Sequence, residues 1–301
     1  MSADARLNKA FSDAPVLPLA PESRYVLFSD CHRGTGTSND NFLKNQNLYF
    51  AALQYYYEQH FTYIELGDGD ELWENRSVEQ IKSIHDNTFW LLSLFYHENR
   101  LCMLYGNHDL VKRNASYRRQ HFSSYMCSTH RTRPLFPAID FYEGIILKDS
   151  LGKKDIFLTH GHQADYLNSV LWKTSRFLVR YIWKPLEHIG FLDPTSAAKN
   201  NTRKHKTERR MTEWASENGC IIVCGHTHRP MIGSKDSPYF NTGSCVHPRC
   251  ITCIEITDRC MTLVKWTLKT KEDLSLYVGR EELAGPVCID EYQDKFQRIA
   301  E

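Results

Sequence analysis

The chain has 301 residues, of which 42% are hydrophobic and 24% charged, the proportions of a globular protein with ample apolar material for one large α/β domain or two small ones. Thirty-seven Lys and Arg against thirty-six Asp and Glu leave a formal charge of +1, so no global field draws the molecule to nucleic acid or an acidic membrane. No apolar run reaches the roughly 18 to 20 residues of a membrane span, and ten cysteines without a secretion signal read as free thiols of a reduced, cytoplasmic protein.

Residues 1–22 carry scattered charges and prolines and are expected as a loose leader ahead of a domain at 23–270. A short β-type run at 24–28 is followed directly by Ser29-Asp30-Cys31-His32-Arg33-Gly34. A helix is expected at 42–59, then a second apolar run at 61–66 ending in Gly67-Asp68-Gly69-Asp70-Glu71. Residues 78–97, with Ile81, Ile84, Phe89, Leu92 and Phe95 at near-helical spacing, predict a core-facing helix. The third apolar run, 101–105, breaks at Gly106-Asn107-His108-Asp109. Three strand-then-polar-turn units separated by helices predict βαβ units, a parallel sheet and one rim loaded with Asp, His and Asn.

The pattern then changes. Runs at 139–148 and 155–159 flank Asp149-Ser150-Leu151-Gly152, a hairpin signal, and the second run ends at His160-Gly161-His162. An insert at 163–218 precedes the β-branched run at 220–224, which stops at Gly225 and delivers His226 and His228 on a tight turn. Further strands are expected at 239–245, 251–256 and 261–268, the last two joined by Thr257-Asp258-Arg259, and 271–301 as a peripheral extension. A parallel half followed by a hairpin-rich half predicts two sheets face to face with helices outside.

Five polar turns, each after an apolar strand, contribute Asp30 and His32, Asp68, Asn107, His160, and His226 with His228. Any one alone reads equally well as a solvated turn; together they mix carboxylate, amide and imidazole without thiolate, which suits Mn, Fe or Zn. Two ions fit this set better than one, with Asp68 as the shared carboxylate. Asp30 and Asp68 leave roughly two positive charges uncompensated on a pair of divalent ions, enough to bind a phosphate and deprotonate a bridging water that attacks phosphorus. His108, with Asp109 beside it, is the candidate acid for the leaving oxygen.

At these residues the chain resembles the calcineurin-like metallophosphoesterases, from about residue 24 to about residue 268. The motifs occur in that family's order: D-x-H at Asp30 and His32, G-D at Gly67 and Asp68, G-N-H-D from Gly106 to Asp109, a lone His-Gly at His160, and G-H-x-H from Gly225 to His228. The resemblance implies a four-layer α/β fold, a double β-sandwich flanked by helices. It also implies that Asp30, His32 and His228 hold one metal, that Asn107, His160 and His226 hold the other, and that Asp68 bridges.

Other features admit two readings. Either of His160 and His162 serves as the ligand after its strand, with His160 the nearer. Arg33 and Arg229 flank ligands and either touch the phosphate or lie in solvent. Cys250 and Cys253 form a C-x-x-C that reads as a zinc pair or, preferably, as small buried apolar residues. In the insert, Leu167, Val170, Leu171, Leu178, Tyr181, Ile182 and Ile189 share one helical face and Lys173, Arg176, Arg180 and Lys184 the other, with Pro185 kinking or ending the helix and a basic run at 199–210 following. This is either a solvated basic helix or a cap that holds a substrate's phosphates or rests on an anionic membrane. A cap in this place resembles that of UDP-2,3-diacylglucosamine hydrolases, which carry Arg at the position of His108. The expected function is hydrolysis of a phosphate ester or pyrophosphate in a phosphorylated small molecule or lipid-nucleotide. The alternative from another class is a non-catalytic module contacting nucleic acid or membrane, against which seven intact ligand positions argue.

Overall fold

In the computed structural model, which describes residues 1–37, 40–127, 129–183 and 201–292, the short all-apolar runs become the centres of two sheets. Tyr25–Phe28 (β2), Thr62–Leu66 (β3) and Leu101–Leu104 (β4) pair in parallel, and Phe141–Tyr142 (β7) extends that edge. On the other side Cys250–Thr257 (β12), Cys260–Thr270 (β13) and Leu276–Cys288 (β14) add antiparallel, giving seven strands in the order β14-β13-β12-β2-β3-β4-β7. The five-stranded sheet runs Val16–Leu19 (β1), Gly144–Asp149 (β8), Ile156–Thr159 (β9), Ile221–Cys224 (β10) and Tyr239–Asn241 (β11) in spatial order. Every residue of β2, β9 and β10 is buried, as strands covered on both faces require.

Between the sheets, Leu27, Ile64, Leu66 and Leu104 share one core with Ile145, Leu158, Ile221, Val223 and Phe240. The outer face of the larger sheet is covered by Gln46–Glu58 (α2), Val78–Ile84 (α3) and Asp86–His97 (α4), whose Leu53, Tyr56, Ile81 and Leu92 join Phe28 and Tyr63 in a second core. Ala3–Ser12 (α1) and Asn201–Glu217 (α8) cover the smaller sheet through Leu7, Ala10, Met211 and Trp214. The result is helix, sheet, sheet, helix, the four-layer double sandwich expected from the sequence. Ala115–His121 (α5) and a small hairpin of Ser124–Met126 (β5) and Thr132–Pro134 (β6) lie in the stretch after β4, for which the sequence offered no signal.

Several local expectations change. The loose leader at 1–22 is built in: Ser2 caps α1, β1 pairs with β8 in parallel, and Phe11 stacks edge-on against Phe157 and Trp214 at 5.2 and 5.6 Å. Leu7, Ala10 and Phe11 supply the helical apolar spacing that the scattered charges and prolines obscured. The peripheral extension at 271–301 supplies edge strand β14, and Ile289 and Tyr292 are buried in the core between the sheets. That pairing sets Cys260 opposite Cys288, and the two form a disulfide, so eight cysteines and not ten are free thiols. The single helix expected at 78–97 breaks at His85. The run at 139–148 divides at Glu143, β7 going to one sheet and β8 to the other.

In the insert, one continuous helix was expected; instead Tyr166–Ser169 (α6), Trp172–Leu178 (α7) and a π-helical turn Val179–Trp183 follow one another, with a break at Leu171. Leu167, Val170, Leu171, Tyr181 and Ile182 of the expected packing face are exposed. Lys184, Pro185, Ile189 and Lys199 lie outside the described residues. No helix among the described residues is long and apolar enough to cross a membrane.

Because Leu7 is wholly buried, Leu7→Ala is expected to cost about 2–5 kcal/mol in equilibrium chemical denaturation, where a loose leader would give no change.

Candidate metal centre

The turns that leave β2, β3, β4, β9 and β10 meet at the carboxyl ends of both sheets, where open α/β sheets place their ligands. Their backbones are locked together: Asp30 and His32 donate amide hydrogens to the carbonyls of Gly67 and Asp68 at 3.1 and 2.9 Å, and Gly225 donates to that of His160 at 3.0 Å. Five residues on these turns take left-handed backbone angles, Asp30 (φ 52°), His32 (47°), Asp68 (51°), His226 (66°) and His228 (55°). Such conformations persist in non-glycine residues only when the surroundings over-determine them. Glycines allow the turns to close up: a Cβ on Gly106 would lie 2.2 Å from Asp68 Oδ1, and one on Gly225 2.2 Å from Ser29 Oγ.

The side chains so delivered converge in two groups, Asp30, His32, His228 and Asp68, His160, His226, within each of which the ligand-type atoms lie within 4.8 Å of one another. Asp30 Oδ1 is 3.1 Å from His228 Nε2 and 3.7 Å from His32 Nε2, and those two ring nitrogens are 3.3 Å apart. Asp68 Oδ2 stands between the groups, 3.1 Å from His160 Nε2 and 3.8 Å from His32 Nε2. Asn107 Oδ1 lies 3.2 Å from His160 Nε2. The structure therefore brings all seven sequence-predicted positions into one cluster.

The donor set fits cations. His160 Nδ1 donates to the Leu66 carbonyl at 2.9 Å, and His32 Nδ1 faces Glu71 Oε2 at 2.8 Å, which turns both Nε2 lone pairs towards the cluster. Asp30 Oδ2 accepts from the His226 amide at 2.9 Å and from Ser29 Oγ, whereas Asp30 Oδ1, fully buried, has no hydrogen-bond donor. A buried carboxylate oxygen with only ring nitrogens beside it needs positive charge there, from a protonated ring or a cation. Burial works to raise the carboxyls of Asp30 and Asp68, yet the adjacent imidazoles, above all His228 for Asp30 and His160 for Asp68, hold both below the ordinary carboxylate range.

His108 borders this cluster. Its Nδ1 is 2.7 Å from Glu71 Oε2, and its ring stacks on the indole of Trp73 at 4.2 Å. Burial lowers the imidazole's pKa, but Glu71 and Asp68 outweigh it, and the net shift is upward. Glu71, which the sequence leaves as either a turn residue or a support behind the ligands, thus orients both His32 and His108. Asp109, expected to orient His108, does not: it accepts from the Gly106 amide at 2.7 Å, from the Gly69 amide at 3.1 Å and from Lys112 Nζ at 2.6 Å, stapling the turns from below. Adjacent side chains diverge along the backbone, whereas the turn after Asp68 folds Glu71 back to the site.

Arg33 is likewise corrected as a phosphate contact. It is 0% exposed, its guanidinium bound to Glu65 at 2.8 and 3.0 Å and to Asp70 at 2.7 Å. Arg229 remains on the rim, paired with Glu208 of α8 at 3.0 Å. His162 is buried beside His160, and burial together with His160 and His226 pushes its pKa well below the usual histidine value. No metal-type group of three among the described residues includes a cysteine; Cys253 is in the core and Cys250 lies 3.3 Å from His247 Nδ1. Two residues were missed: Asp165 Oδ2 and Asn168 Nδ2 approach His226 Nε2 at 3.6 and 3.5 Å, and Arg203 binds the same carboxylate at 2.8 Å. They lie in the insert, where no strand-then-turn signal marks them.

Among solved structures, Vps29 of Chaetomium thermophilum is similar at 10% identity and a TM-score of 0.40, over 87% of this chain and 96% of that one. A mutant cold-active protein tyrosine phosphatase is similar at 14% identity and a TM-score of 0.41, over 90% and 83%. No curated protein matches. The family model of the calcineurin-like phosphoesterases matches residues 23–230, a span that opens just before β2 and closes just after His228. It therefore takes in all five convergent turns, and the chain belongs to the calcineurin-like phosphoesterases, a family of metal-dependent phosphoric ester hydrolases.

Proposed function

We propose that the protein hydrolyses a phosphate ester or pyrophosphate bond with two divalent transition metal ions, Mn foremost and Fe or Zn as alternatives. Asp30, His32 and His228 would hold one ion, Asn107, His160 and His226 the other, and Asp68 both. The observation that carries this reading is the placement of Asp68 Oδ2 between His32 and His160. Bound there, the ions supply Lewis acidity to the phosphoryl oxygens and lower the pKa of the attacking water.

The protein's own part is to aim and to protonate. Glu71 fixes His32 and the Leu66 carbonyl fixes His160, so that neither ring has to reorganise during the reaction. His108 donates a proton to the leaving oxygen, and the Glu71 carboxylate stabilises the cationic form from which it does so. Trp73 excludes water from one face of that ring. The eight free thiols support a reducing, cytoplasmic location, against which stands the one disulfide, Cys260–Cys288.

A second reading, a lipid-linked diphosphate substrate such as a UDP-linked acyl sugar with peripheral membrane contact, is favoured by one feature. Leu167, Val170, Leu171, Phe177, Tyr181 and Ile182 are exposed on the insert that also carries Lys173 and Arg176.

Asp68→Asn is expected to lower bound metal, read by elemental analysis, and to cut turnover by about 10³-fold or more, the several kcal/mol attributed to metal activation. His108→Asn is expected to keep its metal and lose about 10² to 10⁴ in kcat. A panel of aryl phosphates, diesters and UDP-linked acyl sugars with Mn-loaded protein separates the two substrate readings. Turnover confined to simple esters removes the lipid one, and turnover of nothing removes both.

A further inference from the structure

We infer that Arg180, on the π-helical turn of the insert, is a positioning residue for His108. The inference rests on the reading of His108 as the acid. Apart from its own backbone and an edge-to-face contact with the His32 ring at 4.7 Å, His108 is held by the Glu71 carboxylate and the Trp73 indole, and both of these come from the turn at 71–75.

The amide side of that turn is closed internally, with Glu71 Oε1 accepting from the amides of Trp73 and Glu74 at 3.2 Å and the Asn75 amide donating to the Glu71 carbonyl at 3.2 Å. The carbonyl side is closed by Arg180. Its Nε donates to the Trp73 carbonyl at 2.7 Å, and its Nη2 to those of Leu72 at 2.7 Å and Asn75 at 3.3 Å. A planar guanidinium can span three carbonyls at fixed angles, which an ammonium cannot. Beside it Arg76 donates to the Tyr181 hydroxyl, a second tie between the same turn and the same segment. Trp73 is buried at 3% exposure, so a shift of its backbone moves the indole that His108 rests on. Through Arg180 the insert is in this way wired to the acid, while its earlier residues Asp165 and Asn168 reach His226.

The test is steady-state kinetics of Mn-loaded Arg180→Ala on one ester class with leaving groups graded from 4-nitrophenol through phenol to a simple alcohol. An acid matters most where the leaving group is poor. The expected result is a fall in kcat of about 10²-fold on the alkyl ester, within the range for general acid catalysis, and little change on the nitrophenyl ester. KM and bound Mn are expected to stay the same, with added guanidinium restoring the loss and Arg180→Lys recovering only part of it. An equal loss on every leaving group, a rise in KM alone, or no response to guanidinium overturns the proposal. His108→Asn is run beside it. A steep series for His108→Asn with a flat one for Arg180→Ala removes the role of Arg180 alone; a flat series for both removes His108 as the acid and the proposal with it. Should Ala unfold the insert, Arg180→Lys carries the same leaving-group comparison.

Discussion

Two carboxylates, Asp30 and Asp68, are buried and ionised among imidazoles, and the rest of the molecule is arranged to keep them so. An isolated carboxylate at such depth would take up a proton rather than remain charged. Here Asp30 Oδ1 lies 3.1 Å from His228 Nε2 and 3.7 Å from His32 Nε2, with no other partner among the described residues. Positive charge among these atoms balances the arrangement, whether carried by a protonated ring or by the cations on which the family depends. The left-handed backbone at Asp30, His32, Asp68, His226 and His228 is the conformational cost of bringing the groups that close.

What holds the strained turns in place is a second set of charges directly behind the first. Arg33, Glu65, Asp70, Asp109 and Lys112 are all buried and joined by contacts of 2.6 to 3.0 Å. Each belongs to or adjoins a ligand turn: Arg33 follows His32, Asp70 follows Asp68 by two, Asp109 follows Asn107 by two. Three carboxylates against two cations leave an excess of negative charge, which burial relieves by pushing the Asp109 carboxyl upward against the pull of Lys112. A buried network of this kind adds little net stability, but removing one member strands the others, so it enforces a single arrangement of the turns.

The insert contributes differently. It departs from the sandwich as short α6 and α7 and a π-turn, leaves apolar side chains exposed, and reaches the site at two points, Asp165 near His226 and Arg180 on the turn below His108.

Much of this was legible in the chain itself. Apolar runs that stop abruptly at Gly67, Gly106, Gly161 and Gly225 can only be short buried strands leading into turns, and parallel strands put such turns on one rim. That was enough to find all seven cluster residues and the layered α/β architecture. What stayed hidden depends on contacts between distant segments. The guanidinium of Arg33 points into the core because Glu65 and Asp70 wait there, and Glu71 rather than Asp109 serves His108 because the turn folds it back. Residues 1–22 become a helix and a strand because β8 and Trp214 offer an open edge and an apolar floor, and Arg180 finds its carbonyls more than a hundred residues upstream. Periodicity and turn chemistry are local, so the chain alone determined the strands, the turns and the ligand types; the direction of each charged side chain is settled by the partner that compensates it, and that partner is chosen only when the layers pack.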